Sequence, residues 1–188
     1  MTESEAREKI LAAAEDLYYR KGYAAVGMDE LRTAAGVSLR RLYALFPSKT
    51  DIIAAVLRRK HDEWGSGLAA AVRAAGDEPR ARLLAVYRHL EEWFCADDFR
   101  GCAFINAFGE LGGTHPDVAQ IVREHKASFQ EQMATLATDA GAQPALASQL
   151  SILAEGAQTT AAISGDPQVA VQARKAAETL IDASLPRP

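Results

Sequence analysis

Alternating runs of β-branched and polar residues are scarce in this 188-residue chain, and no Asn-Gly or Asp-Gly pair marks a hairpin. A sheet protein is therefore not expected. No stretch approaches the roughly 18 consecutive apolar residues that a membrane helix needs. The opening residues, MTESEAREKI, are acidic and polar and carry no secretory apolar segment. The expected location is the cytoplasm, with no membrane partner. Cysteine is reduced to two residues, Cys95 and Cys102, too few for a disulfide scaffold. Both read as buried thiols, with a redox pairing across the intervening loop as the lesser reading. Histidine is limited to four dispersed residues, His61, His89, His115 and His125, none with a cysteine close by in sequence. Neither a metal site nor a cofactor is expected. The chain also lacks Glu-x-x-His, His-Glu-x-x-His, Gly-x-Ser-x-Gly and the Gly-x-x-x-x-Gly-Lys-Ser/Thr phosphate loop. An enzyme is therefore not expected.

Charge is unevenly spread. The total is −4, which argues against a protein that coats nucleic acid by bulk charge. Residues 1–62 nevertheless carry a net +2 and the remainder −6. A mildly basic head on an acidic body suits a site-specific binder that touches DNA with one end only.

What is abundant is alanine and leucine at helical spacing. Ile10, Ala13, Ala14, Leu17 and Tyr18 give the first helix one apolar face, with Thr2 or Ser4 as its cap and Gly22 as its stop. The stretch Met28–Lys49, MDELRTAAGVSLRRLYALFPSK, reads as two short helices joined by Ala35-Gly36-Val37. Such a pair is a helix-turn-helix, whose second helix enters the DNA major groove. Ser38 caps that second helix and Pro47 stops it. On a wheel, Leu39, Leu42, Leu45 and Phe46 fall on one side; Tyr43, Arg40, Ala44 and Arg41 fill the other. A face of two arginines, a tyrosine and an alanine suits a polar, anionic surface. A long helix follows from Ser48-Lys49, with Gly65 and Gly67 as a possible kink. The body reads as five more helices, 79–96, 101–112, 116–140, 145–164 and 167–185. The last two are joined by Gly165-Asp166-Pro167 into an antiparallel pair with small faces, Ala154, Ala157 and Ala161 on one and Ala170, Ala173 and Ala177 on the other. The expected fold is all-α with about nine helices: a three-helix helix-turn-helix head, residues 1–49, and a helical effector-binding and dimerisation bundle, residues 50–188.

The run GYAAVGMDELRTAAGVSLRRLYALFPSKTDIIAAVL resembles the N-terminal signature of the TetR family of bacterial transcriptional regulators. Gly22, Tyr23, Leu31, Ala35, Gly36, Val37, Ser38, Leu42, Tyr43, Phe46, Ser48 and Lys49 match it in register over about the first sixty residues. The resemblance implies an all-helical homodimer through its last two helices, a small-effector cavity in the body, and an operator released when the effector binds. It departs from the pattern at Val26 and Gly27, where the family often has Thr or Ser, and at Arg40, Ala44 and Leu45. The reading surface is thus richer in arginine and poorer in aromatic bulk.

Within this motif Arg40 and Arg41 are expected to reach base edges or phosphates, Tyr43 a phosphate, Ser38 to cap and touch DNA, and Lys49 and Arg32 to meet phosphates. In the body, Trp64, Tyr87, Trp93, Phe94, Phe104, Phe108, Phe129 and Met133 form an aromatic-rich set. Asn106, Glu110, His125, Glu155 and Gln158 are polar interruptions of apolar helices. Together they point to a small apolar or aromatic effector, although plain core is the competing reading for each. The partner surface implied by the resemblance uses Ala154, Ala157, Ala161, Ala173 and Ala177. The expected function is a ligand-responsive DNA-binding regulator, most simply a repressor. The alternative is a helical ligand-binding or adaptor protein that no longer binds DNA.

Overall fold

Thr2 begins the first helix, α1 (Glu3–Lys21), with a reciprocal cap. Its hydroxyl accepts from the Glu5 amide at 3.2 Å, and the Glu5 carboxylate accepts from the Thr2 amide at 2.8 Å. Two orphan helix donors are thereby satisfied. The computed structural model describes residues 1–185. Over them the chain continues through α2 (Met28–Ala35), α3 (Leu39–Leu45), α4 (Lys49–Ala74), α5 (Pro79–Phe94), α6 (Ala103–Leu111), α7 (Pro116–Asp139), α8 (Pro144–Ser164) and α9 (Gln168–Ser184). Among the described residues there are nine helices and no strand, as the composition led one to expect. The last residues of the sequence, 186–188, lie outside the described residues.

The chain folds as two compact units, which do not divide at residue 49. One comprises Met1–Asp62 with Ala103–Glu124; the other comprises Glu63–Cys102 with the described residues from His125 onward. The N-terminal unit therefore recruits α6 and the start of α7, as far as Glu124. Its core is built from Ile10, Ala14, Leu17 and Tyr18 of α1, Leu31 of α2, Leu42 and Phe46 at the end of α3, and Ile52, Ile53, Val56 and Leu57 of α4, all buried. Tyr18 stacks on Tyr23 with ring centres 5.2 Å apart.

In the second unit, α5, α8 and α9 pack on one another around Leu83, Leu84, Tyr87, Leu90, Leu150 and Ile181. The α8–α9 hairpin turns at Gly165, which is left-handed at φ 66°. The alanines expected to face a partner do something else. Ala154, Ala157, Ala161, Ala170, Ala173 and Ala177 are buried inside the subunit. Their small side chains let α8, α9 and α5 approach closely within one chain. This corrects the partner surface expected from Ala154, Ala157, Ala161, Ala173 and Ala177. The outward face of α8 instead carries Ile152, Gly156, Thr159 and Ile163.

Helix α4 runs unbroken through the two glycines expected to kink it. Gly67 has a packing reason: a Cβ there would lie 3.3 Å from Cε1 of His89 on α5.

Gly22, after α1, has φ 88° and ψ 159°, a region that residues with a Cβ avoid. Gly22→Ala is expected to destabilise the protein by roughly 1–3 kcal/mol. Chemical denaturation followed by circular dichroism measures this, and an unchanged midpoint would contradict it.

Candidate nucleic-acid interface

Gly36 makes the turn between α2 and α3. It is left-handed at φ 65°, and its amide and that of Val37 bond back to the carbonyls of Thr33 and Arg32 at 3.2 and 3.0 Å. Those bonds close the end of α2 and let α3 leave in a new direction. Ser38 caps α3, its hydroxyl accepting from the Arg41 amide at 3.2 Å. Beyond Pro47, Ser48 and Asp51 cap α4 reciprocally. The Ser48 amide donates to Asp51 Oδ2 at 2.9 Å, and the Asp51 amide donates to Ser48 Oγ at 3.2 Å. Leu42 and Phe46 bury the back of α3, with the Arg7 guanidinium 4.4 Å over the Phe46 ring. Leu39, expected on the buried side, is 37% exposed.

The outward face of α3 presents Arg40, Tyr43 and Ala44, all exposed. Tyr43 turns its ring toward solvent at 46% exposure. Arg41 does not join this surface. Its guanidinium folds back to donate to the carbonyls of Met1 and Thr2 at 3.2 and 2.8 Å, and its Nε is buried without a hydrogen bond. Arg41 therefore ties the start of α1 to α3. Arg32 is paired along its own helix with Asp29 at 2.7 Å, an exposed pair of small energetic worth. Lys49 is half-buried and donates to the Ala24 carbonyl at 3.1 Å. Burial pushes its pKa down, and the Glu110 carboxylate pulls it back in part. Of the six residues read from sequence, Ser38, Arg40 and Tyr43 share an exposed surface, whereas Arg32, Arg41 and Lys49 have partners within the chain.

The residues proposed for an effector separate between the two units. Phe104, Asn106 and Phe108, with Glu110, lie on α6 in the N-terminal unit. Trp64, Tyr87, Trp93, Phe129, Met133 and Gln158 lie in the second unit. There Tyr87 is wholly buried and donates its hydroxyl to the Leu150 carbonyl at 2.6 Å, which makes it a core residue. Met133 is equally buried. Trp64 meets Trp93 at 5.3 Å, Phe129 at 6.3 Å and His89 at 5.1 Å between ring centres. Phe99, unmarked in the sequence, extends the cluster to Trp93 and Phe94. Trp64 Nε1 is buried with no hydrogen-bond partner. The polar interruption at Glu155 pairs with Lys126 at 2.5 Å, and Lys126 also donates to Cys102 Sγ at 3.5 Å. Cys102 is buried, but Cys95, expected buried, is exposed because the loop after α5 carries it to the surface; both thiols are free.

Comparison with known proteins follows the same division of the chain. A family model described as bacterial regulatory proteins, tetR family, matches residues 10–56, and one described as the tetracyclin repressor-like C-terminal domain matches residues 79–177. The HTH-type transcriptional activator FasR of Mycolicibacterium smegmatis is 38% identical over 119 residues, 63% of this chain and 52% of that protein. The HTH-type transcriptional repressor NemR of Escherichia coli is 29% identical over 111 residues, 58% of this chain and 56% of that protein. The matches thus span little more than half the length of these two relatives. A solved TetR-family transcriptional regulator of Streptomyces coelicolor superposes with a TM-score of 0.90 at 29% identity, covering 97% of this chain and 91% of that one.

The His89 ring, half-buried against Trp64, has its pKa lowered by burial, with Glu92 opposing. The unfolded chain then binds this proton more readily than the folded one below about pH 6.5. Stability is expected to fall as pH drops from 7 through 6.5 and to level off below the folded pKa. His89→Phe should flatten that part of a denaturation series against pH, and an unchanged slope would remove His89 as its source.

Proposed function

This chain belongs to the tetR family of bacterial regulatory proteins, and we propose that it is a homodimeric, ligand-responsive regulator that binds operator DNA through α3. The observation that carries the reading is the exposed Arg40–Tyr43 face of a short helix whose back is anchored by Leu42 and Phe46. Arg40 is the base-reading or phosphate-reading group, Tyr43 a phosphate donor and Ser38 the cap that fixes the helix start. Lys49 and Arg32 contribute to the surrounding positive field, and Arg41 acts by holding the chain before α1. Repression with release by an effector is the simplest mode; FasR is named an activator and NemR a repressor, so both signs occur among the relatives. The loss of DNA binding in favour of an adaptor role has no structural observation in its favour.

Two copies would join through the outward faces of α8 and α9. Ile152 and Ile163 are 72% and 82% exposed, large apolar side chains spaced along one helix face with Gly156 between them. That arrangement suits close approach of a second helix. The effector would be held in the body, where the Trp64–Trp93–Phe129 cluster and the unsatisfied Trp64 Nε1 suit an aromatic or largely apolar molecule with a hydrogen-bond acceptor.

A palindromic duplex selected by the protein should bind as dimer to site, with affinity falling steeply in salt. Arg40→Ala should lose about 1–3 kcal/mol of discrimination between that duplex and a scrambled one, whereas Arg41→Ala should mainly lower the unfolding midpoint. Equal discrimination by Arg40→Ala and wild type in a titration would remove α3 as the reading element. Ile152→Glu with Ile163→Glu should give folded monomers by sedimentation. Ala157→Glu should instead lose the fold, because it buries an unpaired charge. A dimer that survives the double change would place the partner surface elsewhere.

A further inference from the structure

The peptide of Ala24, in the loop that feeds α2, is held on both sides by side chains of opposite charge. Its amide donates to Glu110 Oε2 of α6 at 2.8 Å, and its carbonyl accepts from Lys49 Nζ of α4 at 3.1 Å. One residue earlier, the Tyr23 hydroxyl donates to the carbonyl of Ala103, the first residue of α6, at 3.1 Å. Both ends of α6 therefore grip the same short loop. Gly22 makes room for this grip: a Cβ there would lie 2.9 Å from Glu110 Oε1. All these residues lie in one compact unit, although Ala24 and Glu110 are 86 positions apart in sequence.

We propose that Glu110 is a positioning residue for DNA binding, which clamps the Ala24 peptide against Lys49 and thereby fixes the start of α2 and the start of α4 relative to each other. The inference rests on the DNA-binding reading above. Its physical basis is the charge-assisted bond, stronger than a neutral one and directional. Helix α2 begins at Gly27 without any side-chain cap. The entry of α2 is thus set by how the preceding loop is held, and Glu110 holds it. Lys49, the first residue of α4, is held on the same peptide by its bond to the Ala24 carbonyl at 3.1 Å, and the Glu110 carboxylate favours its charged form. Without Glu110 the Ala24 peptide is held from one side only, by Lys49.

The test compares Glu110→Ala with Glu110→Gln, whose side-chain carbonyl still accepts from the Ala24 amide. Two measurements are made: hydrogen exchange of the Ala24 amide, and affinity for a labelled duplex enriched by the wild-type protein from a randomised pool. Glu110→Ala is expected to raise Ala24 exchange and weaken duplex binding by about tenfold each, the scale of one lost charge-assisted bond. Amides of α8 and α9 should keep wild-type exchange. Glu110→Gln, which keeps a neutral bond, should recover about half of each loss on a logarithmic scale. Wild-type affinity in Glu110→Ala, no recovery in Glu110→Gln, or exchange raised uniformly through the N-terminal unit would each overturn the proposal. Failure of the wild-type protein to enrich any duplex would overturn the DNA-binding reading instead, and Ala24 exchange would still decide whether the clamp exists.

Discussion

The burial of Leu42 and Phe46 behind α3 is the constraint on which the exposed face of Arg40 and Tyr43 depends. A helix of seven residues has little stability of its own. It persists because its apolar back is locked into the same core as Ile10, Leu31 and Ile52, and because Ser38 and Gly36 set where it starts. With the back held, Arg40 and Tyr43 have one direction left to face. The arrangement places a charged, hydrogen-bonding surface on a rigid support, as recognition of a fixed groove requires.

Adjacent arginines on that helix illustrate how local context divides roles. Arg40 and Arg41 are identical in chemistry and neighbours in sequence, yet about 100° apart around the helix. One meets solvent. The other donates its guanidinium to the carbonyls of Met1 and Thr2 just before α1. The same logic applies to Lys49, which finds the Ala24 carbonyl. In each case a backbone carbonyl outside the helical spans accepts from a long cationic side chain.

The second unit follows a different rule. Alanines on α8 and α9 are buried within the subunit, whereas Ile152 and Ile163 lie exposed on the other face of α8. Aromatic residues cluster around Trp64 and Trp93, and Gly67 leaves space for the His89 ring. The large core residues Leu83, Tyr87, Leu150 and Ile181 fill the interior that the alanines leave between them.

Helix number, the turn at Gly36, the caps at Thr2 and Ser38, and the family signature were all legible in the sequence, because each depends on residues within a few positions of one another. Periodicity placed Leu31, Leu42 and Phe46 inside and Arg40 and Tyr43 outside for the same reason. What periodicity does not carry is the partner of a face. Alanines such as Ala154 and Ala177 suit close approach to any helix; the resemblance implied a second subunit, and the packing of α5, α8 and α9 buries them within one chain. Nor does spacing reveal a contact such as Ala24 with Glu110, in which a backbone amide meets a carboxylate from a distant helix. Local sequence determined the elements and the face each would bury; tertiary packing decided which charged groups stayed free, because it alone brings distant carbonyls and carboxylates within hydrogen-bonding distance.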